Sequence, residues 1–157
     1  MSNPNRLMFI GCSKTKVPQT RKHLTPGEMY TGQLFKLRVA YAESRGIPWA
    51  VLSAKYGLFW PDTALPWYDQ TFGAMCKLDV AAWHLGVGSH LLSFFDDDRV
   101  DPKKVVVELH AGKEYCEPLE DHLSLAGFTV LRPCEGLGIE EQLAWYKQHT
   151  KAEVTCD

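Results

Sequence analysis

Long apolar runs are missing from this chain. Its convincingly hydrophobic stretches last only a few residues, although 45% of the 157 residues are hydrophobic, so no bilayer-spanning helix is expected. The N-terminal Met1-Ser-Asn-Pro-Asn-Arg6 lacks the apolar core of a secretion signal, and no leader is expected. Paired cysteine spacing is absent too. The five cysteines at 12, 76, 116, 134 and 156 are odd in number and dispersed, which argues against a disulfide framework and a structural zinc site and for reduced thiols in a cytoplasmic compartment. The histidines show no ligand pairing, so neither metal nor cofactor is expected. Charge of one sign is not in excess: 17 Lys+Arg oppose 19 Asp+Glu, giving no global attraction to nucleic acid or an anionic membrane. Any nucleic-acid partner would need a local patch. Internal repeats are lacking, and so is the Gly-x-x-x-x-Gly-Lys spacing of a Walker loop.

What is present suits one core and one α/β domain over 1–157, with loose ends at about 1–5 and 150–157. Four apolar runs, Leu7–Gly11, Trp49–Ser53, Lys104–His110 and Thr129–Arg132, each precede a helical pattern. The first helical stretch has a capping-box start at Thr25–Glu28 and a face of Leu34, Leu37 and Tyr41. The second carries Leu78, Ala82, Leu85, Leu92 and Phe95 and ends in a surface turn at Asp96–Asp98. The third carries Tyr115, Leu119, Leu123 and Ala126; the last, Ile139, Leu143 and Tyr146. Strand–helix alternation with short turns predicts a three-layer α/β domain, Rossmann-like or flavodoxin-like, with a mainly parallel four-stranded sheet covered on both faces. From Leu58 to about Met75 the chain reads as a long aromatic loop of the binding or lid type. Glu108 stands out, because a central strand seldom carries a carboxylate unless it faces a cavity or an edge.

In a parallel sheet the segments Cys12–Lys16, Ser53–Gly57, His110–Tyr115 and Pro133–Gly138 should gather at one rim. Gly11 ends the first strand. Cys12 there suits a nucleophilic or redox-sensitive thiol, or merely a small apolar plug. Ser13, Lys14 and Lys16 suit an anionic group, or simple solvation. Ser53, Lys55, Tyr56 and Gly57 offer hydroxyls, an ammonium and close backbone approach, or only a turn. Asp69, beside Tyr68, can orient a base or sugar hydroxyl, or anchor its loop. His110 suits proton transfer or a structural hydrogen bond. Gly112 and Tyr115 would help shape the pocket. Glu135, with Gly136 and Gly138, suits a carboxylate beside an anion-binding helix start, or an acid placed there by the helix dipole.

Several stretches then resemble an uncharacterised bacterial and phage family: Cys12-Ser-Lys-Thr-Lys16, Met29-Tyr-Thr-Gly32, Leu52-Ser-Ala-Lys-Tyr-Gly-Leu58, Pro61-Asp62, Tyr68-Asp69, Gly112-Lys-Glu-Tyr115 and Glu135-Gly-Leu-Gly-Ile139. That family is distantly similar to the YaaA peroxide-stress proteins, most visibly at Leu52–Tyr68 and Gly112–Tyr115. Gly11-Cys-Ser13 with Lys16 also resembles part of the catalytic core of archaeosine synthase, which acts on a deazaguanine in transfer RNA. These resemblances imply an enzyme acting on a nucleobase, nucleoside or nucleotide, free or in nucleic acid, by base modification; N-glycosidic-bond chemistry is added by analogy of fold alone, since sheets of this kind also host nucleoside deoxyribosyltransferases and nucleotide N-glycosidases. Cys12, Ser13, Lys14, His110 and Glu135 would form its catalytic set. Two other readings stay open: a non-catalytic nucleic-acid-binding stress or phage accessory protein, and a nucleotide or anion sensor closed by the aromatic loop.

Overall fold

The computed structural model describes residues 5–94 and 101–151, with the side chains of Phe94 and Lys151 left aside. In chain order the elements are β1 (Arg6–Gly11), β2 (His23–Leu24), α1 (Pro26–Met29), α2 (Gln33–Ser44), β3 (Trp49–Ser53), β4 (Gly57–Phe59), β5 (Leu65–Pro66), α3 (Lys77–Phe94), β6 (Val106–His110), α4 (Lys113–Leu125), β7 (Thr129–Leu131) and α5 (Ile139–Lys151). The main sheet has the order β4-β3-β1-β6-β7, and β2 pairs with β5 in a separate small ribbon. All pairings in the main sheet are parallel except β3 with β4. The fold is α/β, as the alternation predicts, with five strands in place of four.

The extra strand comes from the segment expected to be a loop. Gly57 adopts φ +72°, a conformation that costs glycine little, and the chain folds back so that Leu58 pairs with Leu52 and Phe59 with Val51. Further along, β5 and a short 3-10 turn at Phe72–Ala74 structure the same stretch. Two expected strand ends also shorten. Pro102–Lys104 forms a 3-10 turn capped by Asp101, which delays β6 to Val106, and β7 stops at Leu131. The expected turn at Asp96–Asp98 lies outside the described residues.

Alternation along β1 sends Met8 and Ile10 into the layer covered by α2 and α5, and Leu7 and Phe9 into the layer covered by α3 and α4. Burial on both faces explains why the central strands read as almost continuously apolar. Thr25 caps α1 through the expected box, its backbone N–H and that of Glu28 each meeting the other's side chain. One helix presents the expected face in part and another presents a different one. The buried stripe of α2 is Phe35, Arg38, Tyr41 and Ala42; the expected Tyr41 is in it, and Leu34 and Leu37 are partly buried against the same core. On α3 the buried residues are Trp83, His84, Val87 and Leu91, while Leu78 and Leu85 are 81% and 61% exposed. The Trp83 indole N–H fixes that orientation by donating to the Ser53 carbonyl at 2.8 Å. A stripe of leucines was the stronger apolar signal, but a ring that fills space and satisfies a strand-end carbonyl decides the packing.

The chain leaves β1 through α2 on one layer and β6 through α4 on the other, so adjacent β1 and β6 form the topological switch point. In open α/β sheets ligands bind in the crevice beyond the carboxyl ends of such a strand pair.

Candidate functional site

Two cavities open at that edge and share no lining residue. The two strand ends approach closely where the lining of one cavity, at Cys12, gives way to that of the other, at Ala111. A Cβ on Gly11 would lie 2.8 Å from the Ala111 Cβ, so the end of β1 and the turn after β6 touch directly. One rim was expected to form one pocket mouth; the touching strand ends divide it.

The first cavity, of about 320 Å³, lies beyond β1 and is lined by Cys12, Ser13, Lys14, Lys16, Gln70–Gly73, Glu114 and Tyr115. Cys12 continues the ladder by donating its N–H to the Leu52 carbonyl at 3.0 Å. Its Sγ lies 3.2 Å from the Tyr115 hydroxyl, on the first turn of α4. The following loop is pinned by backbone bonds from Val17 to Met29 and from Thr31 to Thr15, and Lys16 Nζ sits 4.8 Å from the centre of the Tyr68 ring. Phe72 stacks nearly parallel on Tyr115 with ring centres 4.1 Å apart, and both rings, largely buried, border the cavity.

Behind it lies a hub of neutral hydroxyls. Tyr30 and Tyr68 share a 2.5 Å hydrogen bond, and Ser53 Oγ donates to Tyr68 at 3.1 Å. Ser53 Oγ in turn accepts from the amides of Lys55 and Tyr56 at 3.3 and 3.0 Å, while the Tyr56 hydroxyl donates to the Pro66 carbonyl at 2.6 Å. Burial first, and the neighbouring Cys12 next, push the Tyr68 and Tyr115 hydroxyls well above 10. Burial likewise raises Tyr30. These groups therefore keep their protons, and Tyr115 has an O–H to offer the Cys12 sulfur.

The second cavity, of about 510 Å³, lies beyond β6 and β7 and is lined by the 109–113 and 134–138 stretches together with Arg38, Glu117, Arg132 and Gln142. Under it runs a buried charged chain. Arg6 donates to Glu108 Oε2 at 2.8 Å, and Tyr41 to Glu108 Oε1 at 3.2 Å. His110 Nε2 lies 2.9 Å from Glu108 Oε1, and its Nδ1 lies 2.6 Å from the Tyr146 hydroxyl. Burial would raise the Glu108 carboxyl, but the His110 N–H and the Arg6 guanidinium outweigh it and hold the group below 4.5. Burial holds the His110 imidazole below 6.5 against the pull of Glu108. The consistent state is an ionised Glu108 and a neutral ring that donates from Nε2 and accepts the Tyr146 proton at Nδ1.

The expected site residues divide accordingly. Cys12, Ser13, Lys14, Lys16 and Tyr115 come together in the first cavity; His110, Gly112, Glu135, Gly136 and Gly138 line the second. Gly11 sits at the dividing contact. Ser53 is fully buried and ties the turn after β3 to Tyr68. Lys55, Tyr56 and Gly57 border a shallow groove against α3, and Asp69 is exposed and lines none of these three spaces. The His110 side chain has no exposure, so it acts on Tyr146 and Glu108 rather than on a ligand. Glu135 is paired with Arg132 at 3.1 Å. Sequence reasoning missed Arg38, Phe72, Cys134 and the role of Tyr146. An arginine three residues from Tyr41 on an otherwise core-facing helix stripe was the available signal for Arg38.

Among the described residues no group of three or more His, Cys, Asp or Glu is placed to hold a metal ion, and no helix is long and apolar enough to cross a membrane. No curated protein and no solved structure matches the chain. A family model does match over residues 7–148, a span that includes both cavities, and the chain therefore belongs to DUF6884, a family of unknown function.

Proposed function

We propose that the protein is an enzyme acting on a nucleobase, nucleoside or nucleotide, with Cys12 as its reactive thiol. The observation that carries this reading is the pairing of Cys12 Sγ with the Tyr115 hydroxyl at 3.2 Å inside a cavity at the switch-point edge. A thiol acts as a nucleophile through its thiolate, and a tyrosine held protonated by burial supplies a hydrogen bond that a developing sulfur anion accepts. The Phe72–Tyr115 ring pair suits a planar base, for which aromatic faces provide sequence-tolerant stacking. Ser13, Lys14 and Lys16 stand where an anionic substituent would be met.

The choice of a base rather than another planar electrophile rests on the resemblance of the Cys12–Lys16 and Leu52–Tyr68 stretches to the archaeosine synthase core and the YaaA proteins. A cytoplasmic setting fits the unpaired spacing of the cysteines.

Incubation of the full chain with a panel of nucleosides, nucleotides and oligonucleotides, followed by mass spectrometry of products and protein, tests the reading. Turnover lost in Cys12→Ala with the fold retained supports it. Turnover unchanged in that variant removes Cys12 from the chemistry, and no conversion of any panel member by the wild type rejects the proposal.

A further inference from the structure

The larger cavity contains a cation that the protein itself does not neutralise. Arg38 is only 8% exposed, yet its partners are both uncharged: Nε donates to the Tyr146 hydroxyl at 3.3 Å and Nη2 to Gln142 Oε1 at 3.0 Å. Among the described residues Nη1 has no hydrogen-bond partner and stays open to solvent, the guanidinium lies 5.9 Å from the centre of the Tyr146 ring, and no carboxylate is within ion-pair distance. Burying a charge without a counter-charge is costly, so buried guanidinium groups are ordinarily paired. The two acids that line the cavity are committed elsewhere, and the Glu114 carboxylate lies against Gly112 at its edge. Glu135 and Glu120 hold Arg132 at 3.1 and 3.3 Å, and Glu117 holds Lys113 at 3.5 Å.

The backbone around the cavity offers donors to match. Gly112 precedes the 13-residue helix α4 as an N-cap without any side-chain hydrogen bond, and Gly138 immediately precedes α5. The amides of Gly112, Gly136 and Gly138 donate to no acceptor among the described residues. A Cβ on Gly136 would meet nothing within 4 Å. The α4 start without a side-chain cap bond and the free amides favour an oxyanion, and here they accompany a buried guanidinium.

We propose that this cavity binds the phosphate group of a small molecule, with Arg38 as the principal contact. Donors come from three separate elements, α2, the turn after β6 and the turn after β7, and a tetrahedral phosphate can accept from several sides whereas a planar carboxylate presents mainly one edge. The volume of about 510 Å³ leaves room for more than the phosphate, and falls within the range of small-molecule sites. This assignment is independent of the chemistry at Cys12, because the two cavities share no lining residue.

Cys134 lines this cavity and Cys12 the other, so each thiol reports on its own site. The test follows modification of both by methyl methanethiosulfonate, with peptide-level mass spectrometry, in wild-type full chain with and without inorganic phosphate. At about ten times its Kd, phosphate should slow Cys134 modification about tenfold and leave the Cys12 rate unchanged. Nucleoside monophosphates should protect Cys134 where the parent nucleosides do not, and succinate at equal concentration should protect less than phosphate. In Arg38→Lys, calorimetric titration should show phosphate affinity reduced about ten- to a hundredfold, the range for losing a charge-assisted hydrogen bond. Absence of Cys134 protection at any phosphate concentration overturns the proposal without needing a variant. Equal protection by succinate overturns the assignment to phosphate, and equal slowing of Cys12 shows a non-specific ionic effect and overturns it as well.

Discussion

The two strand ends at the switch point solve the same problem with opposite materials. Beyond β1, polar atoms are assembled from neutral hydroxyls: Tyr30, Tyr68 and Ser53 satisfy one another and the turn amides, and Tyr115 pairs with the Cys12 sulfur. Beneath the end of β6, the cluster is ionic and buried, running from Arg6 through Glu108 and His110 to Tyr146, with Arg38 beside it. A hydroxyl network removes no full charge from water, so it can be packed tightly behind a cavity at modest cost. A charged one is tolerated only when each member is matched. The mismatch at Arg38 is therefore more informative than any feature of the hydroxyl hub.

The contrast is broken most severely at Glu108. Glu108→Ala strands the Arg6 guanidinium, the His110 N–H and the Tyr41 hydroxyl at once, and should cost about 3–5 kcal/mol in urea unfolding. A loss under about 1 kcal/mol would show that the chain beneath β6 is not held as a unit.

Proton uptake separates the two clusters next. His110 is held below 6.5 and Glu108 below 4.5, so the unfolded chain binds these protons before the folded one does. Stability fully present above the ordinary histidine value should be lost as pH falls below it, and further as Glu108 takes up its proton. The tyrosines of both clusters work in the other direction. Tyr30, Tyr68, Tyr115 and Tyr146 are raised above 10 and Tyr41 to about 12, so the unfolded chain loses their protons first and stability should fall only as pH rises past 10. Thermal melting across pH should show a plateau between these limits, and a maximum displaced well into the acid range would contradict the assignment of charges.

Gly11→Ala attacks the wall between the cavities. Its Cβ would meet the Ala111 Cβ at 2.8 Å, and overpacking there should cost about 1–3 kcal/mol. Tyr68→Phe deletes the shared acceptor of the hub, leaving Ser53 and Tyr30 each short of a partner, for about 1–2 kcal/mol. Smallest of all should be Leu85→Ser. That side chain is 61% exposed and its loss should move stability by less than about 0.5 kcal/mol, whereas Leu91→Ala, fully buried one turn and a half along the same helix, should cost about 2–5 kcal/mol.

Apolar runs ending in glycine or small polar residues made β1, β3, β6 and β7 legible in the sequence, and with them the parallel sheet and the edge at which the two cavities open. Helix faces were harder. The α3 leucines at 78, 85 and 92 recur at a helical interval yet point outward, because the Trp83 contact with the Ser53 carbonyl is a tertiary event with no local pattern. The short antiparallel β4 was hidden inside an aromatic loop, since three residues after a positive-φ glycine leave no periodicity to read. For the candidate site, strand-end residues that line the two cavities could be named from the sequence, and their division between the cavities could not. Whether neighbouring turns share a cavity depends on the Gly11–Ala111 contact, which couples residues 100 positions apart. Glu108 was visible as an anomaly in a central strand, but its partners Arg6, Tyr41 and His110 come from three elements.

Under the proposed function, the Cys12 cavity receives a planar base beside the Phe72–Tyr115 ring pair. Amide NMR mapping of the full chain during titration with nucleosides and free purine bases tests it most directly. Shifts concentrated at Cys12, Ser13, Thr71, Gly73 and Tyr115 are the predicted result; shifts confined to Gly112 and the Cys134–Gly138 turn, or none for any base, would contradict it.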